Sequence, residues 1–81
     1  MTAYIDYNRL SYLGDRVQAG LATKEETNEY MCLLCKGGHI TQKQYDDYAA
    51  DRNRQEIVNA ALAIGAIVLI GYVLKEIFDQ K

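Results

Sequence analysis

The run "IVNAALAIGAIVLIGYVL", residues 57–74, is 18 residues long and holds no charge, in a chain of 81. As a helix rising about 1.5 Å per residue it reaches about 27 Å, close to the hydrocarbon thickness of a bilayer, and Ile77 and Phe78 extend its apolar side past Lys75. It is apolar all round. A soluble monomer would have to hide every side of it behind the few residues that remain, which a chain this small cannot do. The reading is therefore a single membrane-spanning helix. Its position late in the chain, with no small-residue cleavage site near the start, sets it apart from a secretory signal.

The rest of the chain is of a different composition. Residues 1–56 hold 16 of the 20 charged side chains, and the net charge is −2. An acidic balance with no basic stripe argues against nucleic acid as a partner. Lys43, Arg52 and Arg54 precede the span, and Lys75 and Lys81 follow it. That small excess leans toward a cytoplasmic N-terminal part.

Before the span the chain writes one phrase twice, "QAGLATKEETNEY" at 18–30 and "KGGHITQKQYDDY" at 36–48. Each is the end of one helix and the start of the next. Gly20, and later Gly37 and Gly38, supply the left-handed backbone that stops a helix. Thr23 with Glu26, and Thr41 with Gln44, form capping boxes in which hydroxyl and carboxylate or amide satisfy each other's backbone N–H. Ile40 and Tyr45 have the spacing of a hydrophobic staple. The chain has no proline. These signals predict an all-α protein, two short helices at about 4–19 and 23–36, then one long helix from 41 to 79 whose C-terminal half is the transmembrane span. Residues 1–40 make a helical cap, and residues 41–81 the long helix with its span at 57–74.

"GGHITQKQYDDYAADR" resembles the Gly-x-Ile-Thr-x-x-Glu/Gln-Tyr/Phe core of the short C-terminal domain (SHOCT) family. The paired arrangement, "GLATKEETNEYM" then "GGHITQKQYDDY", is similar to small XkdX-type proteins encoded among phage tail genes. The interval between the copies is about one turn longer than in the phage pattern, and a span is attached. The resemblance covers residues 20–50 and implies a helical adaptor of phage or prophage origin, with no active site to transfer.

Helical spacing marks the contact faces. Tyr7, Leu10, Leu13 and Val17 form one stripe. The second helix offers Tyr30, Met31, Leu33, Leu34 and both cysteines, and the third Tyr45, Tyr48 and Ala49; Tyr7, Leu10, Leu13, Tyr30, Leu34 and Tyr45 are the expected cap contacts. With seven tyrosines in 81 residues, such a cap favours amphipathic contact surfaces over a sealed core. A core this small needs help from self-association, a partner or the membrane surface. Along the long helix, steps of four and three trace a seam through Tyr45, Ala49, Arg52, Glu56, Asn59, Ala63, Ala66, Ile70, Val73 and Ile77. Small residues allow close approach in lipid, and a membrane asparagine seeks a partner. Arg52, Glu56, Asn59, Ala63, Ala66 and Ile70 are thus the expected oligomer interface, with Arg52 and Glu56 spaced to pair within one helix or between neighbouring copies. Ala61 and Gly65 make a second small patch on the opposite face, through which copies could tile.

"CLLCKGGH" brings Cys32, Cys35 and His39 together, yet a closed zinc site needs four ligands and the chain offers three. The two cysteines sit one turn apart on the apolar face, where free thiols act as small hydrophobes. His39 is expected to face solvent. No nucleophile–histidine pair, phosphate-cradling loop or carboxylate pair in a pocket is evident, so neither enzyme activity nor a cofactor is expected. The leading expectation is a non-enzymatic, single-span membrane protein. It would self-assemble with lipid and its own copies, and with other assembly proteins, as a component of a phage-derived structure. A holin-like pore and a soluble helical assembly with the apolar helix buried between copies are the alternatives.

Overall fold

The computed structural model describes residues 6–79. Four helices follow one another: α1 (Tyr7–Gln18), α2 (Lys24–Lys36), α3 (Gln42–Ala49) and α4 (Arg54–Asp79). The described residues outside them are caps and the short connections between helices. The all-α expectation with a long apolar last helix holds. The expected start of the first helix at residue 4, with Tyr4, and the charge of Lys81 lie outside the described residues.

Both capping boxes form. Thr23 Oγ1 accepts from the Glu26 N–H at 3.1 Å while Glu26 Oε1 accepts from the Thr23 N–H at 2.9 Å. Thr41 and Gln44 exchange the same pair of bonds at 3.0 and 2.8 Å. The first helix is capped too, by Asp6, whose carboxylate accepts from the Arg9 N–H.

The helix ends follow one rule applied three times. At the end of α1, Gly20 N–H bonds Val17 O and Leu21 N–H bonds Arg16 O. At the end of α2, Gly38 and His39 bond Cys35 and Leu34 in the same way. Gly20 and Gly38 take the left-handed conformation this closure demands, with φ of 74° and 76°. The third copy is at Asp51, with φ of 62°, where Asp51 and Arg52 bond Tyr48 and Asp47.

That third closure corrects the expected rod. Residues 41–79 do not run as one helix: the chain turns at Ala50–Asn53, and Asn53 is also left-handed, with φ of 48°. Aspartate and asparagine tolerate this region because their short polar side chains bond locally. A single helix from 41 to 79 would be about 58 Å long at about 1.5 Å per residue, and the molecule measures 45 × 29 × 18 Å.

The turn folds the cap back onto α4. Tyr7 of α1 stacks on Tyr72 of α4 with ring centroids 4.2 Å apart. At the other end Val17 and Val58 line one groove, so α1 runs antiparallel to α4. One core results, built from Leu10 and Leu13 of α1, Tyr30, Met31 and Leu34 of α2, Ile40, Tyr48 of α3, and Val58 and Ala61 of α4. It draws on both sides of residue 40, so cap and last helix share their apolar interior. Outside this core two ion pairs join α1 to α2. Arg9 donates twice to Glu29, each bond at 2.8 Å, and Arg16 donates to Glu26 at 2.9 Å.

Candidate functional site on the two faces of the last helix

The inner face of α4 is defined by one aromatic ring. Tyr30 is 1% exposed and lies between glycines of two other helices. A Cβ built on Gly14 would meet its Cε1 at 3.3 Å, and one on Gly65 would meet its hydroxyl at 2.0 Å. The hydroxyl passes over Gly65 and donates to Ala61 O at 3.3 Å. Burial pushes the phenol above its usual value, so it remains a donor. Gly65 is therefore a slot in α4 cut to the width of this side chain. Ala61 and Gly65, the second small patch expected to be free for tiling, are covered by Tyr30 within the same chain.

The outer face is bare. Asn59, Ala63, Ala66, Ile70, Val73 and Ile77 all lie on it. Ile67, Ile70 and Phe78 are 69%, 61% and 66% exposed. Arg54–Phe78 is long and apolar enough to cross a membrane, and only 17% of its most apolar stretch is buried. Soluble helical domains do not usually leave so long an apolar stripe uncovered.

The expected interface residues divide at the turn. Asn59, Ala63, Ala66 and Ile70 share the outer face of α4, with Glu56 exposed at its start. Arg52 stands in the turn before α4, where it faces Asp47 at 3.7 Å, so the Arg52–Glu56 pairing expected of a continuous helix does not form. Asn59 accepts from Gln55 Nε2 of its own helix at 3.0 Å. Tyr45 and Ala49, the first steps of the seam, belong to α3.

The expected cap contacts meet. Leu10, Leu13, Tyr30 and Leu34 are in the core, and Tyr7 and Tyr45 are half-buried against it. Cys32 and Cys35 are free, half-buried thiols, with Cys35 packed on the core and its Sγ 3.8 Å from Gln42 Oε1. His39 differs from expectation: it is half-buried, lining a groove with Tyr7, Val68, Tyr72 and Lys75. Among the described residues, Cys32, Cys35 and His39 do not come together as a metal-binding group.

Sequence reasoning missed four features. Gly14 and Gly65 are glycines inside helical patterns, a signal of close approach rather than of a helix end. Tyr48 bonds Asn28 through its hydroxyl and lies under the Arg54 guanidinium, 4.7 Å from its ring centroid. Tyr72 is the α4 residue that holds the start of α1. The charges at Arg9 and Arg16 are seven apart, and Tyr12 lies between them with both guanidiniums within 5.6 Å of its ring.

No family model matches the chain, and no curated protein and no solved structure matches it either. What the last helix does must be read from its own two faces.

Proposed function

We propose that this protein is a non-enzymatic membrane anchor and assembly module, in which α4 enters the bilayer and α1–α3 present a helical cap at its surface. The observation behind this reading is the bare outer face of α4, joined to the absence of any charge from Ile57 to Leu74. Lipid is the solvent that such a face fits, because α4 satisfies its own backbone hydrogen bonds at any depth. The row Asn59, Ala63, Ala66 and Ile70 would serve contacts between copies within the membrane, where small side chains let helices approach closely. The assembly part of the proposal and its phage-derived setting rest on the resemblance of residues 20–50 to the SHOCT core and to XkdX-type proteins encoded among phage tail genes, which implies a helical adaptor.

A second reading is supported by the docking of the cap on α4. A soluble assembly would cover the outer face with a second copy instead of lipid. Extraction separates the two. Membranes from expressing cells washed in alkaline carbonate should keep an anchored protein in the pellet, and release of all the protein would refute the anchor. The size of the complex in mild detergent, compared with Asn59→Leu, then reports whether the outer row joins copies. An unchanged size would remove this row from the interface.

A further inference from the structure

The cap and the bilayer compete for the same helix. α1 lies along α4 from the level of Val58 to Tyr72, which is nearly the whole uncharged run. It bears Arg9, Asp15 and Arg16, with Glu26 and Glu29 of α2 beside them. If α4 crossed a membrane in this arrangement, these groups would be drawn to the depth of the hydrocarbon. Charged side chains at that depth are costly unless they face a polar cavity or escape to the interface. The compact fold and a spanning α4 therefore exclude one another.

We propose that the cap is an autoinhibitory mask on a latent membrane span. Resting on the anchor reading above, this inference adds a step: α4 crosses the bilayer only after α1–α3 release its inner face. Beside the shared core, two aromatic contacts help to hold the mask. Tyr30 sits in the Gly65 slot, and Tyr7 stacks on Tyr72. The turn that permits release is Ala50–Asn53. It contains neither glycine nor proline, and its bend is held by the left-handed residues Asp51 and Asn53. Both residue types also enter ordinary helix, so the corner can straighten and carry α3 in line with α4. The masked form keeps the outer face ready to meet a bilayer surface, and opening exposes the rest of the helix to lipid.

The test fixes the mask shut in the full chain. In a Cys32→Ser, Cys35→Ser background, Tyr7→Cys and Tyr72→Cys are either joined by a short bis-maleimide or blocked singly with N-ethylmaleimide. Both samples are checked for helical content and mixed with phosphatidylcholine–phosphatidylglycerol vesicles. The readout is the fraction that resists carbonate extraction with α4 protected from protease. The joined protein is expected to insert about tenfold less than the blocked protein, a ratio that corresponds to about 1.4 kcal/mol. Equal insertion would overturn the mask and leave the anchor standing. Failure of both samples to insert would overturn the anchor, and the mask with it. Gly65→Ala, in a chain without added cysteines, provides the opposite perturbation. It crowds Tyr30 out of its slot and should raise the insertion rate of a still-helical protein, and an unchanged or lower rate would also overturn the mask.

Discussion

Gly65→Ala should destabilise the docked cap even though alanine is the better helix former. A helix-interior glycine replaced by alanine normally gains about 1 kcal/mol. At Gly65 the new methyl would stand 2.0 Å from the Tyr30 hydroxyl and 3.1 Å from its Cζ. The ring is 1% exposed and its hydroxyl end also packs close to Gly14, so it has little room to move. Overpacking of this kind costs about 1–3 kcal/mol, and the confined ring places the cost near the top of that range. The net loss should be about 1–2 kcal/mol. Gly71 has nothing within 4 Å of its Cβ position, so Gly71→Ala should show the helix gain alone. Tyr30→Phe alone gives up one long hydrogen bond, worth about 0.5–1 kcal/mol. In that background Gly65→Ala meets no hydroxyl and should be much better tolerated. The four proteins form a double-mutant cycle with a coupling of about 1 kcal/mol or more, measurable by urea unfolding in mild detergent followed by circular dichroism. Additivity within about 0.5 kcal/mol, or a Gly65→Ala protein as stable as Gly71→Ala, would refute the slot.

Three other outcomes are expected. Glu26 and Glu29 are held below the usual glutamate range, Glu26 first by the Thr23 backbone N–H and then by Arg16, Glu29 by the Arg9 guanidinium. A depressed folded value means that the stabilisation is present above the ordinary glutamate pKa of about 4.3 and is lost as pH falls through the lowered values. Cap stability should therefore drop in that acid window, and Glu29→Gln should flatten the drop when stability is titrated against pH. Asp51→Gly should stabilise the corner by up to about 1 kcal/mol, because glycine takes φ of 62° without a Cβ penalty, whereas Asp51→Val should destabilise it; thermal unfolding of both variants checks the sign. Ile70→Glu with Ile77→Glu alters only the exposed face of α4, so helical content and unfolding should stay near those of the parent while vesicle flotation is lost, and intact flotation would remove the outer face from lipid contact.

Most of the local structure was legible because it was written in side chains that act on their own backbone. Thr23, Glu26, Thr41 and Gln44 cap helices by contacts three residues away, and Gly20 and Gly38 end them by φ alone. Such signals need no tertiary context. The apolar length of α4 is legible for the same reason. The corner at Ala50–Asn53 was not, since aspartate and asparagine are ordinary on a helix surface and nothing beside them in the sequence marks these two as left-handed. Nor could the sequence say which face of an all-apolar helix would be covered. A helix with no polar side has no moment to orient it, and the choice fell to Gly65, the position where a tyrosine from another helix could reach the backbone. The Arg52–Glu56 pair within one helix was lost with the rod that would have carried it, while Asn59, Ala63, Ala66 and Ile70 kept a common face because their spacing lies wholly within α4.

The same shortage of core would explain how cap and membrane could compete, as proposed above. Of the nine buried hydrophobic residues among those described, Val58 and Ala61 come from α4, and Leu10, Leu13, Tyr30, Met31 and Leu34 share one core cluster with them. A cap that leaves α4 exposes its share of that cluster to water. Three helices of 12, 13 and 8 residues have too little interior to hold together well without it. Release is therefore favoured only where two gains coincide, lipid around α4 and a new cover for the cap. A second released cap offers a matching cover, because it has lost the same partner and bares the same leucines and tyrosine. If the proposal holds, opening in the membrane and association at its surface would be two halves of one exchange. On the proposed reading the masked monomer would satisfy each apolar face partly, and an inserted assembly would satisfy each with a different partner.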